Sequence, residues 1–156
     1  MKTHRMLRVI EALRAAADTP EAGNAAVFKL YWELGSRIHH DKDLDFDIAD
    51  ALSTVGLDTS LATAVDDETW DAEIRTRMDD GLALVGNDVG TPIIATVNSN
   101  GDRAGYFGPV ITKVPPTEQS LKMWDALVAM MDIDGFFELK KTRSGDIDFG
   151  SRPDPV

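Results

Sequence analysis

The stretch D-V-G-T-P-I-I-A (88–95) places a glycine, a β-branched residue and a proline where a run of strand formers begins. Proline has no N–H to give to a ladder, so Pro92 belongs at the first residue of a strand or on an edge. Gly90, two residues earlier, marks backbone that comes close to a neighbour.

Downstream, the pattern has a period of two. Residues 92–97 read as a strand, N-S-N-G-D (98–102) as a turn, and residues 104–107 as the returning strand, with Gly108-Pro109 closing the hairpin. After P-P-T (115–117), Thr117 is expected to cap a long helix with Leu121, Trp124, Leu127, Val128 and Met131 on one face. F-F-E-L (136–139) is expected to add a helical turn. From Arg143 onward, Gly, Asp and Pro read as a loose tail.

Upstream, helical spacing dominates. Met6, Ile10, Leu13 and Ala17 define a first helix that ends near D-T-P (18–20). A second is expected over residues 21–39, with Val27, Leu30, Tyr31, Leu34 and Ile38 inward. Asp45 is expected to cap a third, carrying Ile48, Leu52 and Val55 and stopped by Gly56. Asp58 caps a short fourth, and Asp66 or Asp67 starts a longer one with Trp70, Ile74, Met78 and Val85 inward. Trp32, Trp70 and Trp124, with Met123, Met130 and Met131, are expected in the core. The order is therefore helices, one hairpin, one helix. A two-stranded hairpin is marginal alone and needs further strands or helices packed on it.

With 156 residues the chain is long enough for a real core, and no segment approaches a membrane span. The N-terminus starts basic but alternates charged and apolar residues, unlike a secretory signal, which points to the cytoplasm. A net charge of −11 opposes nonspecific binding to nucleic acid and to anionic membranes. The sequence contains no cysteine, so it supplies neither a thiol nor a thiolate metal ligand.

D-K-D-L-D-F-D (41–47) spaces carboxylates like a calcium loop. Phe46 and Leu52 stand where such a loop needs glycine and glutamate, so a solvated loop with a capping Asp is the expectation. His39 and His40 are adjacent and point about 100° apart on a helix, which does not make a metal pair. No metal site, no G-x-S-x-G and no phosphate-binding glycine loop is expected.

Several stretches together resemble one family. They are G-S-R-I-H (35–39), V-G-N-D-V-G-T-P (85–92), Y-F-G-P-V-I-T-K-V-P (106–115), K-M-W-D-A (122–126) and F-F-E-L-K-K-T-R (136–143). The chain is similar, in order and over nearly its whole length, to the actinobacterial branch of the DsbA-like thioredoxin-fold proteins, the mycothiol-dependent nitroreductase type.

The resemblance implies an α/β, helix-rich, partial DsbA-like thioredoxin fold. Residues 1–87 would be the helical insert, 88–142 the closing β-β-α part, and 143–156 the loose tail. The first strand, the Cys-Pro-Trp-Cys helix and the second strand of the family would precede Met1. Gly90, Thr91 and Pro92 align with the family's cis-proline loop, and Tyr31, Arg37 and His39 would cover the pocket from the insert. No residue here inherits a catalytic cysteine role, so the chain alone is expected to be inactive as a disulfide reductase. No bound cofactor is implied. Mycothiol or a similar low-molecular-weight thiol would be a co-substrate, and the partners would be small-molecule or protein thiols and disulfides. The strand after Pro92 would lack a parallel neighbour and pair with a second copy or with the N-terminal segment. The alternative is a non-catalytic thioredoxin-like binding module that uses that edge.

Overall fold

The computed structural model describes residues 3–156 as a helix-rich α/β chain with one small antiparallel sheet. It divides into two compact units, one of Met1–Thr76 with Ser151–Val156 and one of Arg77–Gly150.

The first unit is helical. Helix α1 (Thr3–Ala15) buries Met6, Val9, Ile10 and Leu13, and α2 (Pro20–Gly35) buries Leu30 and Leu34. Thr19 caps α2, its hydroxyl accepting from Ala22 N at 3.2 Å, with Pro20 at the first helical position where no N–H is needed. The second helix does not run unbroken to residue 39. A π-helical turn, Ser36–Asp41, follows Gly35 and ends at Lys42 with φ +58°. Helix α3 (Ile48–Thr54) starts from Asp47, whose carboxylate accepts from Ala49 N at 2.8 Å, and not from Asp45. Both aspartates can cap. Starting at Asp47 buries Ile48 at the first helical position and Phe46 just before the cap.

Gly56 ends α3 as expected. Its N–H reaches Ser53 O at 3.1 Å and the Leu57 N–H reaches Leu52 O at 2.9 Å. This is the Schellman pattern, and Gly56 supplies its left-handed residue at φ +70°. Asp58 caps the next segment through Ser60 N at 2.8 Å, but Thr59–Asp66 winds as a 3-10 helix. A 3-10 turn, Glu68–Trp70, then leads from the Asp67 cap into α4 (Asp71–Val85). Leu30, Leu52 and Val9 are the largest fully buried side chains of a core that α1, α2, α3 and residues 64–65 share.

Three inward expectations fail in this unit or at its border. Tyr31, Trp32 and Met78 are exposed. On α2 the core stripe runs through Gly23, Leu30, Glu33 and Leu34, so Tyr31 and Trp32 lie off it. Met78 falls on a helix, α4, that has no buried residue.

The second unit contains β1 (Ile93–Val97) and β2 (Arg103–Phe107), paired antiparallel from Ile93↔Phe107 to Val97↔Arg103. Asn98 Oδ1 accepts from Asn100 N and Asp102 N and so builds the turn, with Gly101 at φ +86°. One sheet face meets the C-terminal half of α4: a Cβ added at Gly105 would lie 3.2 Å from Leu84 Cδ1. The other face meets helix α5 (Thr117–Met130), where Tyr106 Oη donates to Met130 O at 2.9 Å. Pro116, not Thr117, is the residue before α5, without a side-chain cap. Leu127 and Met131 are buried, whereas Leu121 and Trp124 are exposed, contrary to expectation. Residues 136–139 form no helical turn, because Gly135 at φ +76° redirects the backbone.

Candidate functional site

The 88–95 stretch becomes the entry to β1. Gly86, at φ +91°, ends α4, with its N–H on Leu82 O at 2.8 Å. The chain then turns through Asp88, Val89 and Gly90. Gly90 passes the Phe107 ring, to which an added Cβ would come within 3.8 Å. The Thr91–Pro92 and Gly108–Pro109 peptides are both cis, one where the hairpin starts and one where it ends. Thr91 and Pro92 are exposed.

The ladder explains why proline fits here. Gly108 N donates to Pro92 O at 2.8 Å, and Asn98 N to Asp102 O at 2.8 Å, at the two ends of the hairpin. With the observed register, hydrogen-bonded pairs therefore fall at Pro92, Ile94, Thr96 and Asn98. Pro92 leaves out only the last bond of that series. Ile93, Ala95 and Val97 aim their N–H and C=O away from β2. Among the described residues no strand meets them, since the sheet has two strands only.

The other three expected site residues belong to the first unit. Tyr31 is 68% exposed on α2. Arg37 is half-buried and committed locally: its Nε donates to Glu33 Oε1 at 2.6 Å and its Nη2 to Thr54 Oγ1 at 3.0 Å, and its guanidinium lies 5.3 Å from the Phe46 ring centroid. Glu33 is itself buried, so this pair closes a charge balance inside the helical unit. His39 is exposed in the π turn, where its carbonyl accepts from Lys42 Nζ at 2.6 Å. The six residues thus form one contiguous loop, Gly90, Thr91 and Pro92, and a second group spread over α2 and the π turn.

Two clusters escaped the reading by periodicity. Arg8 is buried on α1 and grips Asp71 through Nε at 2.7 Å and Nη2 at 2.8 Å, while His4 Nε2 stands 2.9 Å from Asp71 Oδ1. The Arg8 hydrogen bonds, helped by His4, pull the Asp71 carboxyl down to about 2. Arg152 grips Asp41 through two hydrogen bonds, at 2.8 Å and 3.1 Å, and holds that carboxyl below its ordinary value. Both pairs span more than sixty residues, and helical spacing carries no signal for them.

Among the described residues no helix is long and apolar enough to cross a membrane, and no group of three or more His, Asp or Glu is placed to hold a metal ion. The family model described as Rv2466c-like, mycothiol-dependent nitroreductase Rv2466c, matches residues 4–141. That match takes in α1, the π turn, the Gly90-Thr91-Pro92 loop, the hairpin and α5. The chain belongs to the Rv2466c-like family of mycothiol-dependent nitroreductases.

Proposed function

We propose that this chain forms the substrate-facing portion of a mycothiol-dependent reductase with a DsbA-like thioredoxin architecture, its redox thiols being supplied by residues outside this sequence. The family match over residues 4–141 carries the reading. Thiol–disulfide exchange needs a thiolate nucleophile, and the sequence holds no cysteine. What the chain offers instead is backbone. The exposed Gly90-Thr91-Pro92 loop presents peptide groups to a thiol or disulfide of the mycothiol class. Within the helical unit, taken by itself, Tyr31 and His39 offer exposed side chains as a surface of their own. Arg37 serves that surface indirectly, by anchoring the π turn through Glu33 and Thr54. The free N–H and C=O groups of Ile93, Ala95 and Val97 suit a parallel strand from the cysteine-bearing part of the fold.

The test is a titration of isotope-labelled chain with mycothiol disulfide. Amide signals of Gly90, Thr91 and Ile93 are expected to shift, with no turnover of a model disulfide or a nitroaromatic by the chain alone. Unmoved signals at millimolar ligand, or clear turnover above a protein-free control, would overturn the reading.

A second reading is a cytoplasmic, non-catalytic module that dimerises or binds a protein through the β1 edge. The exposed Leu121 and Trp124 on α5 favour it, and the oligomeric state in solution tests it.

A further inference from the structure

Phe28, Tyr31 and Trp32 stand at i, i+3 and i+4 on α2, all exposed, in a stripe beside the Leu30 and Leu34 face. The Phe28 and Trp32 rings lie 5.8 Å apart. Onto this side of the helical unit comes S-R-P-D-P-V, Ser151–Val156. Trp32 Nε1 donates to the Asp154 carbonyl at 3.0 Å. Two residues earlier, Arg152 closes a fork on Asp41, Nε to Oδ1 at 2.8 Å and Nη2 to Oδ2 at 3.1 Å. Between these anchors, Pro153 is the half-buried residue of the segment.

The segment suits this use by its covalent structure. Each anchor residue precedes a proline, and a residue before proline is pushed to extended backbone. With Pro153 and Pro155 also fixed in φ, little conformational freedom remains to be lost on docking. An indole N–H that takes a backbone carbonyl beside exposed aromatic rings is how proline-rich segments are held in aromatic grooves. A carboxylate taking a guanidinium in a fork adds orientation. Asp41 also ends the π turn, where a cation is favoured by the helix terminus.

We propose that the face formed by Trp32, Phe28, Tyr31 and Asp41 is a recognition site for extended Arg-Pro-Asp-Pro segments, and that residues 151–156 occupy it in cis as a displaceable clasp. The anchors are exposed at the rim: the Arg152 and Asp41 side chains are 41% and 38% accessible. Such pairs are individually weak and screened by salt, so the segment can be exchanged for a like one. The inference shares only Tyr31 with the reductase reading and uses no thiol.

The experiment follows the Trp32 indole N–H signal of the full chain, identified by its loss in Trp32→Phe. Arg152→Ala and Asp41→Asn are expected to move that signal in the same direction, as is raising salt to about 0.5 M in the parent chain. Adding the hexapeptide SRPDPV to the Arg152→Ala chain is expected to return the signal toward its parent position. With Asp41→Asn, about tenfold more peptide is expected for the same movement, the loss of roughly one charged hydrogen-bonding partner. A Trp32 signal identical in the parent and Arg152→Ala chains, or one that the peptide leaves in place, would overturn the proposal.

Discussion

Arg8 shows how a single contact couples stability to pH. Its guanidinium is buried, and two of its N–H groups end on the Asp71 carboxylate, which His4 also approaches. In the unfolded chain Asp71 titrates near its ordinary 3.8, while in the fold it is lowered to about 2. A depressed carboxylate stabilises the fold at every pH above its unfolded value and loses that contribution as pH falls through the folded one. Asp71→Asn is therefore expected to lower the melting temperature at pH 6. The gap to the parent chain should close progressively between about pH 4 and pH 2. A gap that stays constant down to pH 2 would show that the pair does no such coupling.

At the scale of elements, the hairpin is held between α4 and α5 by close approach. A Cβ at Gly105 would come 3.0 Å from Ile94 O and 3.2 Å from Leu84 Cδ1. Gly105→Val is expected to overpack this seam and destabilise the second unit by about 1–3 kcal/mol, measured by urea unfolding. Much of this level was legible in the sequence because its causes are local. The Asp58 and Gly56 helix signals, the N-S-N-G-D turn and the proline at the strand start each act within a few residues. The exposure of Tyr31, Leu121 and Trp124 was not legible. Periodicity places a residue on a face, but which face is covered depends on partners far away in sequence. Asp45 and Asp47 make the same point on a smaller scale, since the choice between two equivalent caps went to the one that buries Ile48. The Gly90-Thr91-Pro92 loop could be found by its composition. The Arg152 fork on Asp41 joins residues 111 positions apart and could not.

Across the whole molecule, apolar burial is uneven. The contiguous core runs from Met6 to Val65 and lies wholly in the first unit. In the second unit Leu127 and Met131 are the buried apolar side chains among the described residues, while Leu121, Trp124 and Val97 are exposed. Apolar surface of this kind, and a strand edge that no other strand meets among the described residues, are each what association covers. Light scattering after size exclusion is expected to find the chain associated, and Trp124→Glu to shift it toward monomer. A stable monomeric parent chain would refute this. The uncovered edge of β1 also carries its own clock. Isotope exchange of main-chain amides should be slowest in α1, α2 and α3, where opening requires loss of the core. Ile94 and Thr96, bonded to β2, should exchange at an intermediate rate, and Ile93, Ala95 and Val97 almost as fast as free peptide. Docking a strand against that edge would slow these three alternate residues together. That odd-numbered rhythm would report which side of β1 its partner had taken.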